Sequence, residues 1–228
     1  MKSLSATASA CRSSALPVVL TVLLLACLVL TQSGCLGITS NLMHMVGADM
    51  IPPQFEGLEE SRLVVVTSTE SSHYKDDVSA QILSKSVGAI LTQKVDDVKL
   101  VRQSEIDQWR DRVGWENNDM VALGKAVEAD KVVAIELDNM KLRDGKSMYR
   151  GSADVVVTVY DCETGDELYR REVDEYTFPR TAGQHIAETS ESKFRKVYLG
   201  MLAAEIGRSF HAYDLSDTFA LDGAIASQ

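Results

Sequence analysis

Hydrophobic positions change their spacing several times along the chain, and each change marks an element. Ala15–Leu30, "ALPVVLTVLLLACLVL", is apolar apart from Thr21, and the charges before it are Lys2 and Arg12. The run falls short of the roughly 20 apolar residues of a spanning helix, and Pro17 shortens it further. A basic start, an apolar middle and small residues before a break read as an export signal over residues 1–34. An uncleaved signal anchor is the alternative. Residues 35–60 read as a tether carrying Met43, Met45, Val46 and Met50, and Pro52-Pro53 forces the chain to enter the domain in an extended conformation.

From Arg62 the spacing is that of a folded domain. "RLVVVTS" is a continuous β-branched run, as expected of a buried strand. Leu83, Val87 and Leu91 recur at i+4, widened by Val78, Ile82 and Ile90, and predict a helix from about Asp76 to Lys94. "DDVKLV" supplies a second strand ending at Val101, so strand–helix–strand implies a parallel pair with a right-handed crossover. "SEIDQWRDR" predicts a short helix with Ser104 as N-cap and Asp107 at N3. Another runs from Asn118 or Asp119 to about Ala129, with Met120, Leu123 and Val127 on one face and Gly124 at a close-packing position.

"KVVAIELDNMKL" is a third strand, and Gly145 turns the chain. Gly151–Tyr160 alternates, with Ala153, Val155, Val157 and Val159 opposite Ser152, Asp154 and Thr158, the pattern of a half-buried antiparallel strand. After the turn "DCETGDE", Leu168–Phe178 carries charges on both faces, which places it at a sheet edge or in solvent. Glu191–His211 closes the domain with a helical stripe of Phe194, Tyr198, Met201, Leu202, Ile206 and Phe210, and residues 214–228 read as a flexible acidic tail. The order predicts an α/β (α+β mixed) domain over residues 61–213. It has a single mixed sheet of about five strands (βαβ, helix pair, β-hairpin) packed against helices, with a C-terminal amphipathic helix.

Charge and chemistry narrow the function. The formal net charge is −10, and loss of residues 1–34 would remove Lys2 and Arg12 but no acid. Such a balance opposes nucleic-acid binding and adhesion to anionic lipid, leaving covalent or hydrophobic membrane attachment. Of Cys11, Cys27, Cys35 and Cys162, only Cys162 falls in the domain, where a turn without a nearby His makes it an exposed, unactivated thiol. His44, His73, His185 and His211 are scattered with no metal-ligand spacing, and "LGKAVE" has no Ser or Thr after its Gly-Lys. No cofactor, metal or catalytic constellation is therefore expected, and the chain reads as no enzyme.

Two features stay open. The segment Thr67–Asp77, with His73, lies where an α/β sheet places ligands, or it is a solvated loop ending in a helix cap. Trp109 and Trp115, which bracket "RDRVG", are core residues or an exposed aromatic patch.

"QSGC", residues 32–35, resembles a bacterial lipobox: Ser33, Gly34 and Cys35 match, while Gln32 stands where Leu is usual. "LLAC" ending at Cys27 competes, but it lies inside the apolar run. The resemblance implies a diacylglycerol thioether on Cys35 and an acylated new amino terminus, enough chains for a stable anchor. Leu36, where Asp would signal inner-membrane retention, favours the outer membrane over the inner. Further on, "RLVVV", "LGKAVEADKVVAIEL" and "VVVTVYDCETGDELYRREV" resemble the fold of the TolB amino-terminal domain, LpoB-type activators and CsgG-type secretion lipoproteins. The approach "PPQFEGLEESRLVVV" resembles other envelope lipoproteins.

The resemblance implies a periplasm-facing, lipid-anchored, non-catalytic module that binds or regulates an envelope protein during envelope assembly. Its partner would dock on the edge Leu168–Phe178, where Tyr169 and Tyr176 are candidate contacts, or around Trp109 and Trp115. A CsgG-like secretion-channel subunit is the alternative. Against it, Arg170, Arg171, Glu172, Asp174 and Glu175 would be costly in a strand facing lipid.

Overall fold

The computed structural model describes residues 50–69, 77–115, 117–180 and 183–214. Cys27, Cys35, His44, His73 and residues 215–228 lie outside them. The β-branched run forms β2 (Arg62–Thr69), buried on both faces, and its parallel neighbours are β3 (Lys99–Leu100) and β4 (Lys131–Asp144). From β4 the sheet continues antiparallel through β5 (Met148–Asp161) to β6 (Glu167–Phe178), in the order β3-β2-β4-β5-β6. A short β7 (Gln184–His185) extends the ladder beside Met148 and Tyr149 of β5. The expected mixed sheet is present, with β6 at its edge.

Helices cover both faces of the parallel end. Alternation along β2 sends Leu63 and Val65 to one side and Val64 and Val66 to the other. The first side meets α1 (Val78–Lys94) through Leu83, Val87 and Leu91, and α4 (Glu191–Gly207) through Phe194, Tyr198, Leu202 and Ile206. The second meets α2 (Gln103–Val113) through Ile106 and Trp109, and α3 (Met120–Ala126) through Leu123. Ala153, Val155, Val157 and Val159 all enter the first core, as their alternation required. Thr158, expected on the polar face, is buried as well, because α3 reaches over this end of β5.

Local chemistry sets the helix limits. Asp77 caps α1 by accepting the N–H groups of Ser79 (2.9 Å) and Ala80 (3.0 Å), and Asp119 caps α3 through Ala122 (2.8 Å). Ser104 is not an N-cap: β3 is only two residues long and the chain turns from Val101 directly into α2 at Gln103, without a side-chain cap. Helix α3 stops at Ala126 rather than Ala129, with Glu128 in a left-handed conformation (φ 55°) before β4 begins.

The domain starts earlier than residue 61. β1 (Met50–Ile51) pairs with β8 (Tyr213–Asp214), and the Ser209 carbonyl accepts the N–H of both Gln54 and Phe55 at 2.9 Å. Leu58 is fully buried in the first core. The last part of the expected tether is thus packed structure. No helix among the described residues is long and apolar enough to cross a membrane.

Candidate functional site

The edge strand β6 has two unlike faces. Tyr169, Arg171 and Val173 point inward, and Tyr176 and Phe178 do so again after a register shift that takes up Asp174 and Glu175. That shift is a β-bulge. It accounts for the neighbouring charges Asp174 and Glu175, because the strand changes phase at the bulge; Arg171, the inward charge before it, is met instead by Glu205. Glu175 (φ 49°) directs its N–H to Asp154 Oδ1 at 2.8 Å, and Asn139 donates to Oδ2 at 2.7 Å. These two bonds hold the Asp154 carboxyl below the usual carboxylate range.

Two candidate docking residues are therefore taken up by the domain itself. Tyr169 packs its ring 5.5 Å from Phe55 and 5.7 Å from Phe210, and its hydroxyl reaches Gln54 Oε1 at 2.7 Å. Tyr176 lies 6.1 Å from Tyr198, whose hydroxyl donates to the Tyr176 carbonyl. Both are half-buried and face the core rather than an outside partner. The outward face of β6 instead shows Leu168, 40 % exposed, and the ion pair Arg170–Glu172 at 2.9 Å.

Trp109 and Trp115 also part company. Trp109 is buried in the second core, so the exposed patch does not include it. Trp115 is half-buried, and its indole N–H donates to Asp111 Oδ1 at 2.9 Å. Between them stands Arg110, which was not among the expected site residues. It is only 8 % exposed, and its guanidinium lies 5.4 Å from the Trp115 ring centre. Its Nε is buried without a hydrogen-bond partner, and Arg110 makes no ion pair among the described residues. Burial lowers its pKa, partly offset by Asp107. A signal was available: Ile106 and Arg110 are spaced i, i+4, which puts the arginine on the apolar face of α2.

Arg110 lines a small pocket of about 30 Å³ at the carboxyl end of β2, with Thr67, Asp77, Gln81, Ser84, Gln103, Asp107 and Trp115. Here Ser84 donates to the Thr67 hydroxyl at 2.8 Å and Thr69 bonds the Asp77 carboxylate. The described part of the segment Thr67–Asp77 thus serves as strand end and helix cap. The pocket shares Val65, Gln81, Ser84 and Gln103 with a larger groove of about 370 Å³, whose further walls include Gly88, Leu100, Val101 and Ile106.

Cys162 is not the exposed thiol expected of its turn. It is 3 % exposed, packed beside Val132, and burial pushes its thiol up to about 11. Gly124 is the close-packing position foreseen: a Cβ there would stand 2.2 Å from Cys162 Sγ. Among the described residues, no group of three His, Cys, Asp or Glu side chains could hold a metal ion.

No family model and no curated protein matches the chain. Among solved structures, the lipoprotein GNA1162 from Neisseria meningitidis is similar at 15% identity, over 65% of this chain and 99% of that one, with a TM-score of 0.43. The LpoB C-terminal domain from Salmonella enterica is similar at 12% identity over 53% of this chain and 86% of its own, TM-score 0.37. The PelC dodecamer from Paraburkholderia phytofirmans gives 10% identity over 71% and 96%, TM-score 0.39. Bacterial lipoproteins are thus among the structures the chain is similar to, and at these TM-scores no function is carried over from them.

Proposed function

We propose that the chain is a lipid-anchored envelope protein, held through Cys35 and facing the periplasm, that acts as a non-catalytic binding module for another envelope protein. The observation that carries the anchor is the step Ser33-Gly34-Cys35, just past an apolar run too short to span. What supports binding rather than chemistry is the domain itself. Its buried thiol is unactivated, and among the described residues its sheet ends in β3 and β6, each with one side unpaired.

The outward face of β6 is a candidate contact surface, although its bulge and charges are also the devices that keep edges from pairing indiscriminately. The inward face of β6 is occupied by α4 and Phe55, an arrangement unlike a hairpin that gives one face to lipid.

Mass spectrometry of the mature amino terminus, compared with Cys35→Ser, tests the anchor. A triacylated chain beginning at Cys35 is expected, and an unmodified chain still beginning at Met1 would remove this reading. Photocrosslinking from Leu168 in cells tests the binding role. A defined heterologous partner is expected, whereas a symmetric ring of self-contacts would favour the secretion channel.

A further inference from the structure

The chain is acidic overall, yet one layer of the domain shows lysine and no free carboxylate. Helices α1 and α4 pack side by side on the first face of the sheet, where Gly207 leaves room for Ile90. Their outward ridges run through Val78, Lys85 and Ala89 on α1 and through Lys193, Lys196 and Val197 on α4. Helix α1 contains no Asp or Glu. Both glutamates of α4 are engaged: Glu191 meets Arg143 at 3.0 Å and Arg195 at 3.1 Å, and Glu205 meets Arg171 and Arg208. The next acids along the chain, Asp77, Asp96 and Glu188, stand beyond the helix ends, Asp77 as the cap of α1. Lys85, Lys193 and Lys196 make no ion pair among the described residues. Between the lysines the surface is low and partly apolar: Val78 is 53 % exposed, Val197 is 39 %, and a Cβ at Gly200 would meet open space.

We propose that this helical layer rests on a lipid surface: its lysines meet the phosphates of anionic phospholipid headgroups, and Val78 and Val197 enter the headgroup layer. The net charge of −10 opposes such contact for the chain as a whole. Charges beyond a Debye length of about 8 Å are screened, however, so the face in contact decides. Each lysine near an anionic bilayer adds a small attraction, and the anchor makes small attractions enough. Residues 36–49 separate Cys35 from Met50, so the domain stays within about 50 Å of lipid. A second contact is then intramolecular. Lipid fits this face better than an acidic protein does, because protein interfaces favour aromatic residues and Arg and are poor in Lys. The aromatic residues of α4, Phe194 and Tyr198, are buried, and α1 has none. Resting on this layer also turns the opposite sheet face, with Leu168 of β6, away from lipid and toward partners. The inference deepens the anchored reading above and rests on it for reach.

The full chain as isolated from cells is reconstituted with vesicles of phosphatidylcholine, or of phosphatidylcholine with about one-third phosphatidylglycerol. Flotation reads the attachment, and lysine acetylation followed by peptide mass spectrometry reads the face. On anionic vesicles Lys85, Lys193 and Lys196 are expected to react about fivefold more slowly than on neutral ones. Lys125 and Lys146, exposed on other surfaces, should react alike on both. The slowing should vanish at about 1 M salt, where the Debye length is about 3 Å. In the surface variant Lys193→Glu/Lys196→Glu, Lys85 should return to its neutral-vesicle rate. Equal rates on the two vesicles, equal slowing of Lys125, or a slow Lys85 in that variant overturns the proposal. Slowing found in cells but not on anionic vesicles overturns it too, and assigns the face to an acidic protein. Failure to float with neutral vesicles counts against the anchor alone, and labelling on anionic vesicles still decides the face.

Discussion

Arg171 of β6 and Glu205 of α4 meet at 2.6 Å, and the other carboxylate oxygen of Glu205 holds Arg208 at the same distance. Arg171 also donates to Ser209 Oγ at 2.9 Å. These side chains are 16–22 % exposed, so the network is more sheltered than a surface pair. It pins the edge strand to the last helix. Glu205→Ala removes the carboxylate that the sheltered Arg171 and Arg208 share and should cost about 2–4 kcal/mol in urea unfolding. A double-mutant cycle with Arg171→Ala should give a coupling of about 1–3 kcal/mol, and strictly additive losses would show that the contact contributes nothing.

Gly124 and Cys162 share a space that holds one of them only as glycine. A Cβ at residue 124 would also meet Val132 Cγ2 at 2.8 Å. Gly124→Ala should therefore destabilise the domain by about 1–3 kcal/mol through overpacking. Cys162→Ala, which removes the sulfur in the way, should return part of that loss in the double variant. Thermal unfolding of the two singles and the double decides it: a double variant no better than the sum of its parts refutes the clash.

The buried thiol has a pH signature. With its folded value pushed up to about 11 from an ordinary 9.0, Cys162 keeps its proton in the fold while the unfolded chain loses it. The unfolded state then binds fewer protons, so stability should fall as pH rises from about 9 toward 11. Cys162→Ser should flatten that part of the stability curve. Thiol alkylation of the native chain at pH 8 should be slow and should accelerate on unfolding, and immediate labelling would contradict the burial.

The opposite sign applies to two aspartates. Asp161 accepts the N–H groups of Thr164 (3.0 Å) and Glu163 (2.8 Å) in the β5–β6 turn, which holds its carboxyl below the usual range, as Glu175 and Asn139 do for Asp154. Folded values below unfolded ones give a contribution present above the unfolded pKa and lost as pH falls through the folded one. Asp154→Asn and Asp161→Asn should each shallow the acid limb of unfolding. NMR titration of both carboxyls should show depressed values, and ordinary ones would reject the hydrogen-bond assignment.

Much of the fold was legible because it rests on spacing. The β-branched run of β2, the i+4 leucines of α1, the alternation in β5 and the stripe of α4 each need only a period and a neighbour to bury against. The site was less legible because it rests on phase and on depth. Tyr169 and Tyr176 are an odd number of residues apart and would face opposite ways in a regular strand; the bulge at Asp174–Glu175 turns both inward. Cys162 looked exposed because its turn is polar, yet Gly124, on a helix far upstream, leaves room for it to sink. Arg110 hid in a charged stretch of α2, where only the spacing from Ile106 told that it points into protein.

The pairing of Met50 with Asp214 makes the domain a closed circuit. The chain enters and departs through one gate, the usual condition for circular permutation. A short linker across that gate, with new termini opened at the exposed turn around Gly165, should preserve the sheet and both cores. The same gate lets the domain be carried as an insert within a host loop, since a host needs to offer only a pair of neighbouring ends.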